Sequence, residues 1–132
     1  MGQCYLVHAK FVAKNHKELR KAITNFIIDE TFAMFPGARS VDLYDTTTLI
    51  KCILPDQGDW EVAGDGTIAT CFDASYGWEP LMDRFFKEIA CTLESGSYIK
   101  VEPNTGWWKN EIKNGRMIET IHDENGTTTR EA

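Results

Sequence analysis

Residues 4–28 read CYLVHAKFVAKNHKELRKAITNFII, and the hydrophobic repeat changes within them from that of a strand to that of a helix. Over Cys4 to Val12, Tyr5, Val7, Ala9 and Phe11 alternate with Leu6, His8 and Lys10, which predicts a strand with one more apolar face. Asn15 followed by Glu18 resembles a helix-capping pair, with Asn in place of Ser or Thr. Beyond it, Leu19, Ala22, Ile23, Phe26 and Ile27 fall at i, i+3, i+4, i+7 and i+8, so a helix buries one stripe and turns Lys17, Arg20 and Lys21 to water. Cations at a helix start oppose its dipole, which a tolerated solvated face explains first and a compensating partner or nearby acid second.

Working outward, Pro36 and Gly37 stop this helix. Val41 to Leu54 predicts extended chain, firmest as a strand over Thr47 to Leu54 where β-branched residues cluster. Asp56 to Gly66 is a polar, glycine-bearing hairpin or loop around the island Trp60 to Ala63, and Thr67 to Phe72 is the next strand. Pro80 suits a first helical turn, after which Leu81, Phe85, Ile89 and Leu93, widened by Phe86 and Ala90, predict a second helix closed by Gly96. Tyr98 to Glu102 reads as a strand, and Trp107 to Ile112 with Arg116 to Ile121 form a hairpin around Lys113-Asn114-Gly115. His122 to Ala132 is expected to be a mobile tail. The order strand, helix, strand, strand, helix, strand predicts an α+β fold of ferredoxin-like, split β-α-β type: an antiparallel sheet with two helices on one face and an added C-terminal hairpin. Residues 1–121 form one domain in this reading, with 122–132 as its flexible tail.

Composition narrows the class. With 132 residues, 42% of them hydrophobic and 11% aromatic, the chain can bury a core without a partner. No apolar run is long enough to span a bilayer, and Met1-Gly2-Gln3-Cys4 lacks the layout of a secretion signal, so a cytoplasmic location is the expectation. Cys4, Cys52, Cys71 and Cys91 form no C-x-x-C pair, and in a reducing compartment they act as structural thiols. The net charge of −6 is unevenly spread. Residues 1–40 carry six basic side chains against three acids, whereas residues 41–79 carry eight acids against Lys51 alone.

Catalytic and cofactor motifs are missing. The loop from Asp56 to Asp65 fails the EF-hand pattern, because Gly58 and Trp60 stand where oxygen ligands belong. His8, His16 and His122 have no zinc-binding spacing. Neither a nucleophile elbow nor a phosphate-binding glycine loop occurs. No metal and no cofactor is therefore expected. Two alternatives stay open: a small enzyme built on Cys4, His8 and Lys10, and a weak RNA-binding module built on the basic first helix. Against the first, a strand separates Cys4 from His8 by about 13 Å. Against the second, the expected central strands lack base-stacking aromatics and the overall charge is acidic.

The remaining signal is surface. Trp60 lies between Asp59 and Glu61, and of the adjacent Trp107 and Trp108 one must face outward on a strand. Tryptophans anchor interfaces, and an acidic field speeds encounter with a basic partner. The candidate binding set is therefore Asp42, Asp45, Asp56, Asp59, Trp60, Glu61, Asp65, Trp107 and Trp108.

The stretch Phe72-Asp73-Ala74-Ser75-Tyr76-Gly77-Trp78-Glu79, the helix after it and the Glu94-Ser95-Gly96-Ser97 turn resemble small uncharacterised proteins encoded by phages and mobile elements of Gram-positive bacteria, over about residues 47 to 121. The resemblance implies an accessory or counter-defence factor, including the anti-CRISPR type of inhibitor that occupies a nucleic-acid groove with carboxylates. It implies no role for any individual residue. The expectation is thus a non-enzymatic binding protein whose acidic, Trp-containing surface meets a basic, nucleic-acid-binding surface of a host protein in the host cytosol, with no direct nucleic-acid or membrane contact.

Overall fold

The computed structural model describes residues 4–29, 45–54, 58–75, 79–102 and 106–131. Asp42 and Asp56 of the candidate set, Trp78, and the Pro36-Gly37 stop lie outside these residues. The elements in chain order are β1 (Cys4–Phe11), α1 (His16–Asp29), α2 (Thr46–Lys51), β2 (Asp59–Val62), β3 (Ile68–Ser75), α3 (Glu79–Ile89) with a 3-10 turn at Ala90–Thr92, β4 (Tyr98–Glu102), β5 (Trp107–Lys113), β6 (Arg116–Asp123) and β7 (Gly126–Glu131). The seven strands make one antiparallel sheet in the order β2-β3-β1-β4-β5-β6-β7. An α+β fold is therefore observed. No described helix is long and apolar enough to cross a membrane.

Strand parity divides the sheet into two different faces, because successive side chains on a strand point to opposite sides. On one face Val7, Ala9 and Phe11 of β1 stand beside Ile68, Phe72 and Ala74 of β3, Ile99 and Val101 of β4, and Ile112 of β5, all buried. Leu19, Ile23, Phe26 and Ile27 of α1 and Met82, Phe85, Phe86 and Ile89 of α3 complete that core. Phe85 is its hub, with ring centroids 6.1 Å from Phe11 and 5.3 Å from Phe26 at tilted angles, the arrangement that aromatic quadrupoles favour. The described helices thus cover one face, and none of them packs on the other, the bare face.

Thr47 to Leu54 is a correction: it is not a strand but opens with α2. The Asp45 carboxylate accepts the Thr48 N–H at 2.8 Å, satisfying a donor that a helix start leaves orphaned. The buried residues Thr46, Leu49, Ile50, Ile53 and Leu54 then follow the spacing i, i+3, i+4, i+7, i+8, so burial of that stripe outweighs the strand preference of three threonines. His16 Nδ1 shares a 3.0 Å hydrogen bond with Thr46 Oγ1, tying α2 to the start of α1. Lys21 lies 3.8 Å from Glu18, both side chains more than half exposed, the weak surface pairing that a solvated helix face tolerates.

Residues 122–131 also differ from the expected mobile tail, since they finish β6 and form β7. Arg130 explains the docking of this polar strand: it donates from Nη2 at 2.6 Å and from Nε at 2.8 Å to Glu119, whose side chain is only 10% exposed. Asn114 (φ 52°) and Gly115 (φ 77°) turn β5 into β6, where both central residues of a tight hairpin need positive φ. Gly58 opens β2 so close to β3 that any side chain there would collide with the Cys71 carbonyl and the Phe72 Cβ.

Candidate functional site

No described helix packs on the bare face of the sheet, and the strand register fixes its composition. One row runs across it as Asp59, Cys71, His8, Lys100, Lys109, Thr120 and Thr129, and a second as Glu61, Ala69, Lys10, Tyr98, Glu111, Ile118 and Glu131. A third starts Asp73, Leu6, Glu102.

Charge is graded along these rows. At the β2-β3-β1 end, Asp59, Asp73 and Glu102 surround Cys71. Burial first, and then those three carboxylates, push the Cys71 thiol above its ordinary pKa. The β2-β3 hairpin and the sequence-remote β4 thus aim negative charge at one spot. Leu6, 39% exposed, lies between Asp73 and Glu102 as an apolar neighbour. Glu102 is oriented by Lys100 at 3.0 Å and by His8 Nε2 at 3.5 Å, contacts that hold its carboxyl below the usual range, the lysine foremost.

The β4-β5-β6 end is mixed and aromatic. Lys100 sits over the Trp107 ring at 4.7 Å, and Lys109 over Tyr98 at 4.9 Å. Trp107 stacks on His122 with centroids 5.5 Å apart. Each lysine also meets an acid, Lys100 with Glu102 and Lys109 with Glu111 at 3.2 Å. These lysines are therefore engaged on the surface itself.

The candidate residues are separated by this geometry. Asp59 and Glu61 lie on the bare face, while Trp60 between them points to the helix side, half-buried under the Lys51 ammonium at 5.2 Å. Trp60 cannot anchor the surface that its neighbouring acids form. Trp107 lies on the bare face and Trp108 packs against the core on the other. Asp45 caps α2. Asp65 accepts the Thr67 N–H at 3.0 Å in the β2-β3 turn; this amide and the Thr67 hydroxyl lower its pKa. Both are structural carboxylates. Asp73, Glu102 and Leu6 were not in the candidate set; the strand alternation that places His8 and Lys10 on one face of β1 also places Leu6 there.

On the catalytic alternative, His8 and Lys10 do share the bare face, but His8 contacts Glu102, and the Cys4 side chain lies outside the described ones. Among the described residues no three His, Cys, Asp or Glu side chains group as a metal ion would require. No protein-family model, no curated protein and no solved structure matches the chain.

Proposed function

We propose that the protein is a non-enzymatic binding protein whose acidic corner, formed by Asp59, Glu61, Asp73 and Glu102 around Leu6, meets a basic surface of a partner protein. The observation that carries this reading is the strand register, which sets Asp59 opposite Cys71 and places Asp73 and Glu102 on either side of Leu6, on a sheet face that no described helix covers. Carboxylates gathered on a rigid sheet make the local potential negative and steer a cationic partner, and an exposed leucine among them supplies apolar contact. The lysines beyond them, each already held by a glutamate and a ring, leave a weaker lure for nucleic acid.

The narrower identity, a phage-encoded inhibitor of a nucleic-acid-binding effector acting in the host cytosol, remains a proposal from the resemblance; it fits because such an effector presents a basic groove. We also read β1 to β4 with α1 and α3 as the split β-α-β unit, a reading supported by the order β2-β3-β1-β4.

The test is a paired capture. Parent protein and a variant carrying Asp59→Asn, Glu61→Gln, Asp73→Asn and Glu102→Gln are immobilised and exposed to the same lysate at physiological salt. The proposal expects basic proteins retained by the parent and depleted on the variant. Equal retention on both surfaces refutes the acidic corner.

A further inference from the structure

We propose that the outer edge of β2 receives an extended segment of the partner as an added strand, with basic and apolar side chains in alternation. This rests on the acidic-corner reading above and specifies the form of what binds there.

The edge geometry follows from one hydrogen bond. Among the described residues β2 is the border strand of the sheet, and Ala63 N donates to Thr67 O at 2.9 Å where it turns into β3. Bonded pairs recur at every second residue of an antiparallel ladder, so Glu61 with Ala69 and Asp59 with Cys71 are the bonded pairs. Trp60 and Val62 consequently direct their N–H and C=O groups away from β3, toward the position of a further strand.

The side chains define what such a strand would carry. Asp59 and Glu61 flank the edge on the bare face, both exposed. On the helix side, Val62 is 59% exposed next to the half-buried Trp60. Two depressions adjoin Glu61 on the sheet, one of about 700 Å³ bordered by Lys10, Val62 and Asp65 and one of about 320 Å³ bordered by His8, Asp59 and Tyr98; the small Ala69 lines both. A strand with lysine or arginine at alternate positions lays cations against Asp59 and Glu61, and its intervening apolar residues reach Val62. A second copy is disfavoured, because β2 against β2 confronts carboxylate with carboxylate. The opposite border, β7, presents Thr127, Thr129 and Glu131 on the bare face, the last paired with Arg116 at 3.6 Å, and offers a cationic strand no comparable pair.

Two synthetic peptides of equal charge test this by titration at low salt: one alternating lysine and valine over five residues, the other with the three lysines placed before the two valines. The alternating peptide is expected to bind more tightly by about fivefold, because only alternation sets lysines against Asp59 and Glu61 while its valines reach Val62, cross-strand pairs that together contribute about 1 kcal/mol, and to slow hydrogen exchange at the Trp60 and Val62 amides. Val62→Pro removes an outward donor without breaking the β2-β3 ladder and should weaken binding of the alternating peptide by about the same factor. Equal binding of the two peptides with unchanged exchange at Trp60 and Val62 overturns the added strand, and leaves the acidic corner standing if Asp59→Asn with Glu61→Gln still weakens both. Alternation-specific binding untouched by those two neutralisations overturns the acidic corner instead. Binding of neither peptide overturns both.

Discussion

Replacing Arg130 with alanine perturbs the fold where a polar strand grips a buried glutamate, in addition to the Arg116–Glu131 ion pair and the β6-β7 ladder. The guanidinium of Arg130 is 69% exposed, whereas the Glu119 carboxylate it grips is 10% exposed. Without Arg130, the carboxylate keeps only Lys87 at 3.9 Å, and Lys87 is more closely engaged by Asp83 at 3.0 Å. Hydrogen bonds to a charged group contribute about 1.5 to 3 kcal/mol. Solvent screening of the exposed guanidinium lowers the expected cost of Arg130→Ala to about 1 to 2 kcal/mol. Glu119→Gln should cost less, below about 1 kcal/mol, because the amide oxygen still accepts a hydrogen bond and Arg130 is readily rehydrated. The double variant should then be less destabilised than the two single losses added together, since the partners are coupled. Urea unfolding followed by circular dichroism measures all three, with the slope against denaturant showing whether β7 has detached. A cost for Arg130→Ala within about 0.3 kcal/mol of zero, or a larger cost for Glu119→Gln, would refute the reasoning, given how little an exposed pair contributes.

Other consequences are as specific. Phe85→Ala opens the aromatic hub of the core and should cost about 3 to 5 kcal/mol, read by the same unfolding experiment; a loss under about 1 kcal/mol would mean the core closes over the gap. Asp45→Ala removes the α2 cap at a cost of about 1 kcal/mol. Because the Thr48 hydroxyl and amide hold the Asp45 carboxyl below its usual value, its contribution is complete above the unfolded value, about 3.9, and is lost as pH falls through the lower folded one. The stability of Asp45→Ala should therefore change less than the parent's on acidification below about pH 4, and parallel acid titrations would contradict the cap. With Cys4, Cys52 and Cys91 replaced by serine, Cys71 should be alkylated faster at mildly alkaline pH once Asp59 and Asp73 are neutralised. An unchanged rate would show that their field does not reach the thiol.

What the sequence made legible was periodicity within long elements. The alternation over Cys4 to Val12 and the stripes of α1 and α3 are strong because each element buries one face, and Asn114-Gly115 marks a turn by its tolerance of positive φ. Thr47 to Leu54 misled because its β-branched residues, Thr47, Thr48, Ile50 and Ile53, favour strands locally, while the capping aspartate and the helical spacing from Thr46 to Leu54 carried the opposite message. Residues 122–131 held no apolar signal; what docks β7 is a buried glutamate that ordinary patterns place at a surface. The acidic segment was visible as a charge count, but a count has no direction. Asp45 and Asp65 satisfy backbone donors, Trp60 faces away from Asp59 and Glu61, and the acids that complete the corner come from β3 and β4, brought together only by the register of the sheet.

The most direct test of the acidic corner is the association rate of the captured partner with the parent and with the fourfold Asp59, Glu61, Asp73 and Glu102 neutralised variant, measured across a salt series. Steering by exposed carboxylates predicts a parent rate that falls as the screening length shortens from about 10 Å at 0.1 M salt to about 3 Å at 1 M. The variant's rate should be slower at low salt and nearly flat across the series, converging on the parent's at high salt. A variant that associates as fast as the parent, with the same salt dependence, would contradict the account.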